Sequence, residues 1–308
     1  MARLWRTICL TLVTALAFAG PSLAATASPP PVLAKIRANP ALWTVRSVNA
    51  TAYLFGSIHL LPPNIDWHSK SVDAAIATAD VFVFEAPLGQ SGLAQTEDFV
   101  RANGMLPDAE SLPSLLGPDE RKEYREAVAQ SHVSADSLTH MRPWLAAVVI
   151  ETALMQAAHY SPESGVDRQV FALATAQHKT IQSFETVDEQ LALLMPKDRK
   201  VEVEEFNASL KELKSDMGEV GPLVDAWCEG RTNEVARLMN AALAGTPGAM
   251  KLLIDDRNAR WAEHMVTMLA QHHTYFVTVG AGHLAGPRGL PALLAARGYR
   301  VTLAAPSP

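Results

Sequence analysis

The chain has 308 residues, 48% of them hydrophobic, and a formal net charge of −6. That is enough apolar material for one large domain or two small ones, and an acidic chain with scattered lysines is a poor candidate for nucleic-acid binding. Low-complexity sequence is confined to ATASPPP, Ala25–Pro31, which reads as a short stiff leader.

The N-terminus carries Arg3 and Arg6, then the apolar run ICLTLVTALAFAG, then Ser22 and Ala24. This is the pattern of a secretory signal peptide over residues 1–24. The run is too short to cross a bilayer core of roughly 30 Å as a helix, and no second run of about 18 apolar residues follows. The expected product is exported, periplasmic or secreted, with no stable membrane anchor. Loss of the two arginines moves the net charge from −6 to about −8. Cys9 leaves with the signal, and Cys228 alone can form no internal disulfide.

After a leader over 25–40, the pattern predicts an α/β fold over 41–308. It has a mixed β-sheet built from the two ends of the chain and a helical insertion over about 105–245. Leu42–Val48 and Thr51–Ser57 read as a hairpin around Asn49-Ala50. A helix over Ser69–Ala79 leads to VFVFEAP, Val81–Pro87, an apolar run suited to a buried strand. Gly117-Pro118-Asp119-Glu120 marks a helix start. Further helices are expected at Pro143–His159 and Asp167–Gln177, then a strand at Thr180–Thr186 and a charged helix from Lys197 to about Met217. Helices near Pro222–Glu229 and Asn233–Leu243 precede a long one from Gly248 to His272. The strand TYFVTVG, a helix near Gly289–Ala296 and the strand Tyr299–Ala304 complete the chain.

The two ends share one order: strand, Gly-x-x-His-Leu, Pro-containing loop, helix, strand. The copies are YLFGSIHLLP and VTVGAGHLAGP, and the connections are long enough for parallel βαβ crossovers. Both His59 and His283 are therefore expected at carboxyl ends of strands, where open α/β sheets place their ligands. Chance alone supplies about half a Gly-x-x-His in a chain of this composition, so context carries the signal. Each glycine closes an apolar strand and can take the positive φ that a turn requires, and each histidine is the first polar residue beyond it.

Two other strands end in glutamates, Glu85 in VFVFEAP and Glu185 in IQSFETVDEQ. A carboxylate emerging from a buried strand needs a cation, a base or a turn amide. Thr186 and Glu189 have capping-box spacing, a local account for Glu189 more than for Glu185, while Glu85 has no local partner and is the preferred carboxylate. Two imidazoles with one or two carboxylates suit a divalent metal of intermediate hardness: manganese or cobalt first, zinc or iron as alternatives. Such an ion would acidify a bound water while a glutamate moves protons. There is no His-Glu-x-x-His and no Gly-x-Ser-x-Gly elbow. Arg257 falls in the middle of the apolar stripe Leu253, Ile254, Trp261, Met265, Met268. Two readings of it stand: a structural pair with Glu185 or another buried acid, or a grip on a substrate carboxylate or developing oxyanion, with Asn258 beside it. His68, His140, His272 and His273 read as loop or helix-end residues.

The ordered series LFGSIHLLP, VFEAPL, MRPW, GVDRQVFALATAQHKTIQSFETVDEQLALL, WCEGRTNEV, LLIDDRNARW and FVTVGAGHLAGPRGLPALLAARGYRV resembles the TraB/GumN family, which takes in the Tiki proteases. The resemblance runs from about Leu42 to Leu303. It implies the α/β fold shared with erythromycin esterases and ChaN-like proteins. It also implies a metal-dependent hydrolase site, with manganese or cobalt, containing His59, His283 and Glu85; Glu185, Arg257 and Asn258 match other family positions. The expected function is an exported metal-dependent peptidase acting on a peptide or protein. The alternatives are a non-catalytic binding protein for a peptide, haem or metal, or an accessory protein of an exported polysaccharide pathway.

Overall fold

A computed structural model describes residues 34–196, 198–213 and 220–304. The expected signal peptide and the end of the expected charged helix lie outside these residues. Eight strands and twelve α-helices are present among them. The α/β expectation is met: six strands form one mixed sheet in the order β6-β5-β7-β3-β2-β8. These are β2 (Leu42–Arg46), β3 (Thr51–Ser57), β5 (Val81–Phe84), β6 (Thr180–Ser183), β7 (Thr274–Gly280) and β8 (Arg300–Leu303).

The hairpin is the antiparallel pair β2–β3, with Arg46 opposite Thr51. From β3 the sheet continues in parallel through β7, β5 and β6, with Ser57 opposite Gly280 and Phe84 opposite both Thr278 and Ser183. The first crossover, β3–α1–β5, carries α1 (Lys70–Thr78) over one face, where Val72, Ala75 and Ile76 join the core containing Phe55, Phe82 and Phe276. The second, β7–α12–β8, carries α12 (Leu290–Ala296) over the other face, where Leu290 and Leu294 join Leu54, Val83 and Val277. The two connections run in opposite directions along the sheet. Opposite faces are then what the usual right-handed crossover requires. Period-2 alternation divides the strands between the two cores: Leu54, Val81, Val83, Tyr275 and Val277 on one side, Phe55, Phe82, Phe84 and Phe276 on the other.

The mainly helical middle region expected from the sequence is present. It contributes β6 to the central sheet, and its helices cover the face bearing Phe55. They are α2 (Gly89–Asn103), α3 (Pro118–Ser131), α4 (Ala135–Leu138), α5 (Pro143–Ala157), α6 (Val166–Ala176), α7 (Val187–Ala192), α8 (Arg199–Leu213), α9 (Val220–Cys228) and α10 (Thr232–Leu243). The sequence pattern missed α2, which begins at Gly89 with no side-chain cap on its N-terminus. The leader also ends sooner than expected: β1 (Ile36–Arg37) pairs in parallel with β4 (Ile65–Asp66), and Ala38 is buried.

The expected helix over Gly248–His272 is two pieces, a π-helix at Lys251–Asp255 and α11 (Asp256–Leu269). The wide turn shifts the helical register one turn before Arg257. Among the described residues no helix is long and apolar enough to cross a membrane.

Candidate functional site

Four adjacent parallel strands deliver one polar side chain each at their carboxyl ends. Glu185 follows β6, Glu85 follows β5, His283 follows β7 and His59 follows β3. All four are buried. The ladder continues beyond β5 and β6, with the Phe184 amide donating to Phe84 O at 3.0 Å and the Glu185 amide to Glu85 O at 2.8 Å. This extension sets the two carboxylates side by side.

Glycine shapes both histidine loops, but not by the expected route. Neither Gly56 nor Gly280 has a positive φ, and Gly280 sits at −49°. At Gly56 the constraint is close approach: a Cβ there would lie 3.0 Å from Ala281 Cα, in the second motif. Gly280 contributes its amide, which donates to Glu85 Oε1 at 2.6 Å.

Arg257 lies between the carboxylates with no exposed surface. A guanidinium has five N–H bonds, and all five are used. Nε donates to Glu185 at 3.0 Å, Nη2 to Glu85 at 2.7 Å and Glu185 at 2.9 Å, and Nη1 to Leu253 O at 3.3 Å and His283 Nε2 at 3.0 Å. Its Cζ also stands 4.5 Å from the Trp261 ring centre. Arg260 and Trp261 Nε1 complete the shell of Glu185, and the buried Gln190 of α7 donates to Glu85 at 3.0 Å. The expected capping box aims that helix, with Thr186 and Glu189 bonding reciprocally.

Protonation follows from these partners. Burial alone would raise the Glu85 carboxyl, but Arg257, His283, His59 and the Gly280 amide outweigh it and hold it down at about 2. The Asn258 amide group donates to His283 O at 3.2 Å and Arg288 O at 2.8 Å, so its oxygen faces His283 Nδ1 at 2.7 Å and must accept from it. His283 therefore carries its proton on Nδ1 and offers the Nε2 lone pair to Arg257. Burial and then Arg257 lower His283 to about 3, which keeps it neutral. Consecutive residues of α11 thus grip both nitrogens of one imidazole.

His59 is held differently. Its Nδ1 lies 2.9 Å from Asp167 Oδ1, and Ser57 Oγ is 3.2 Å from the same nitrogen. Since a carboxylate oxygen accepts, Nδ1 carries a proton, and in the neutral ring the lone pair is on Nε2. Asp167, on the first turn of α6, docks here because Gly165 allows it: a Cβ at Gly165 would come within 2.2 Å of His59 O. The Val166 amide adds a bond to Ile58 O at 3.1 Å. A small pocket of about 10 Å³ is lined by His59, Glu85, Asp167 and Thr278 with Phe84, Ala86 and Leu88, room for one water. A larger groove of about 330 Å³, lined by Trp43, Leu284, Pro287 and Pro291 among others, contains none of these charged groups.

The structure thus brings all six sequence-derived candidates, His59, Glu85, Glu185, Arg257, Asn258 and His283, to one end of the sheet. Sequence reasoning missed Asp167, Gln190, Ser57 and Thr278. Asp167 had the look of an ordinary first-turn acid; the Gly165-Val166-Asp167 step into a buried helix was the available signal. Of the two readings of Arg257, the structural pair is the one present, and neither it nor Asn258 has an N–H left for a substrate.

The metal set His59, His283, Glu85 and Glu185 does not fit a divalent ion while Arg257 is in place. The guanidinium fills the space between the carboxylates and takes the His283 lone pair, and Asn258 takes the other nitrogen. Among the described residues no group of three or more His, Cys, Asp or Glu side chains is disposed to hold a metal. Cys228 is no nucleophile in waiting: burial, with Asp225 and Glu229, pushes its thiol up to about 11.

A model of the TraB/PrgY/gumN family matches residues 41–303. The chain belongs to that family. It is 23% identical over 275 residues to the uncharacterized protein YbaP of Shigella flexneri, covering 85% of this chain and 96% of that one. YbaP of Escherichia coli (strain K12) gives the same identity and coverage. An uncharacterized protein of Treponema pallidum (strain Nichols) is 23% identical over 266 residues, 80% of this chain and 78% of its own length. No solved structure shows a significant match.

Proposed function

We propose that this member of the TraB/PrgY/gumN family is an exported hydrolase acting on a peptide or protein substrate, and that it works from the His59 side of the cluster. The observation that supports this reading is the 2.9 Å contact between His59 Nδ1 and Asp167 beside a pocket shared with Glu85. It leaves the imidazole lone pair on Nε2. In this reading Nε2 takes a proton from an attacking water, whose oxygen bonds to the substrate carbonyl carbon. The same Nε2–H returns the proton to the departing nitrogen as the C–N bond breaks. Asp167 and the ionised Glu85 stabilise the imidazolium that exists between the two transfers.

Arg257, Asn258, Glu185 and His283 form a buried network that joins this site through Glu85. They fix the charge on Glu85 and keep competing protons off it, in a region whose hydrogen bonds are already made and need no rearrangement during the reaction. The peptide substrate rests on the resemblance to the Tiki proteases, and export rests on the signal-peptide pattern.

Incubation of the purified mature protein with a peptide library, read by mass spectrometry, tests the proposal. Cleavage products are expected, and His59→Ala removes them. Stoichiometric retention of a peptide or haem with no product, in both proteins, contradicts it and favours a binding protein.

A further inference from the structure

Asp167 has one oxygen engaged and one not. Oδ1 takes His59 Nδ1 at 2.9 Å and receives Ser57 Oγ at 3.5 Å. Oδ2 is buried with no hydrogen-bond partner among the described residues, and so is Thr278 Oγ1, which lines the same pocket. The Asp167 side chain is 5% exposed and that of His59 is 3% exposed. As a purely structural pin this is a poor choice. A neutral amide would hold Nδ1–H equally well without desolvating a negative charge and stranding one of its oxygens. A buried carboxylate at this place is explained if its charge is used.

We infer that Asp167 is a positioning residue for His59. It fixes the imidazole with its proton on Nδ1 and Nε2 facing the chemistry, and it supplies the counter-charge when Nε2 is protonated. The inference rests on the proposed role of His59. The contrast with the second motif supports it. There the orienting group on Nδ1 is Asn258, a neutral amide, and the imidazole is the one whose Nε2 is taken by a guanidinium. The same nitrogen is thus given a charged partner where protonation is required and an uncharged one where it is prevented.

The test compares wild type with Asp167→Asn, Asp167→Glu and Asp167→Leu in the full mature protein. Long-range ¹H–¹⁵N spectra report the tautomer of His59 without any substrate. Wild type and Asp167→Asn are expected to show His59 with Nδ1 protonated, since an amide oxygen also accepts, and Asp167→Leu, which offers no acceptor, to populate the form protonated on Nε2. If cleavage is observed, Asp167→Asn should lower kcat about 100-fold with KM within about threefold and a melting temperature unchanged or higher, and Asp167→Glu should recover part of the loss. A wild-type His59 protonated on Nε2, or a tautomer untouched by Asp167→Leu, overturns the inference whether or not the protein cleaves anything. A variant that melts lower while keeping kcat makes Asp167 a structural pin and overturns it as well. Absence of cleavage with the expected tautomers would count against the hydrolase reading alone.

Discussion

The two Gly-x-x-His units occupy equivalent places in the sheet and are chemically unlike. His59 and His283 both leave the carboxyl ends of neighbouring parallel strands, with Ser57 opposite Gly280 in register. His283 is closed: Asn258 accepts from one nitrogen, Arg257 donates to the other, and burial keeps the ring neutral. His59 is oriented by a carboxylate and borders a pocket. A repeated motif therefore fixes where a side chain emerges. What that side chain can do is decided by the helix that packs on it, α6 for the first copy and α11 for the second.

The largest break in this comparison is removal of the cation that closes the second unit. Arg257→Met leaves Glu85 and Glu185 buried without their counter-charge, and breaking a buried pair costs about 3–5 kcal/mol. Urea unfolding is expected to show that loss. Arg260, whose side chain is 56% exposed on the rim of Glu185, gives the contrast, with Arg260→Ala costing at most about 1 kcal/mol. Equal losses would mean that the buried network is not what holds the second unit.

Gly56→Ala tests the contact between the two units. Its new Cβ would press on Ala281 Cα at 3.0 Å, backbone that cannot step aside as a side chain would. A loss of about 1–3 kcal/mol is expected from overpacking. A neutral substitution would show that the two loops are free to separate.

Acid should sharpen the difference further. His283 falls from an ordinary 6.5 to about 3, and Glu85 from 4.5 to about 2. In both cases the unfolded chain binds the proton more readily than the folded one. Stability is therefore full above about pH 6.5 and erodes as pH falls, first through the His283 window down to about 3 and then through the Glu85 window down to about 2. The slope is at most about 1.4 kcal/mol per pH unit for each group. Urea midpoints of wild type and His283→Gln between pH 6.5 and 4.5 are expected to diverge, with the variant flatter. Parallel curves would contradict the neutral, closed state of His283.

Much of this was legible in the sequence, for reasons that are local. Strand periodicity followed by Gly-x-x-His placed both histidines at strand ends, an acid directly after VFVF could only be buried or bound, and Thr186 with Glu189 announced a capped helix. Arg257 on an apolar stripe allowed either a buried ion pair or a grip on substrate, and the ion pair is the one formed. The rest depended on contacts between distant segments. Asp167 is separated from His59 by 108 residues and has the pattern of any helix-start acid. The sequence could not reveal that Arg257 spends every N–H inside the network, so a site drawn from residue types admitted a metal that the assembled donors do not accommodate. The roles of Gly56 and Gly165 are likewise tertiary, since each admits another segment's backbone rather than an unusual φ of its own.

The central claim is that the two histidines do different work, and one paired measurement tests it most directly: turnover per folded molecule for His59→Ala and His283→Ala, with and without a chelator. The account predicts that His59→Ala loses about 10²–10⁴-fold in rate per folded molecule. His283→Ala melts earlier but keeps turnover in the fraction that is folded, and chelation changes neither. Equal loss of turnover in both variants, together with loss in wild type on chelation and recovery on adding manganese, would contradict it. Both histidines would then be ligands of one ion, and Arg257 would have to withdraw from the place it holds.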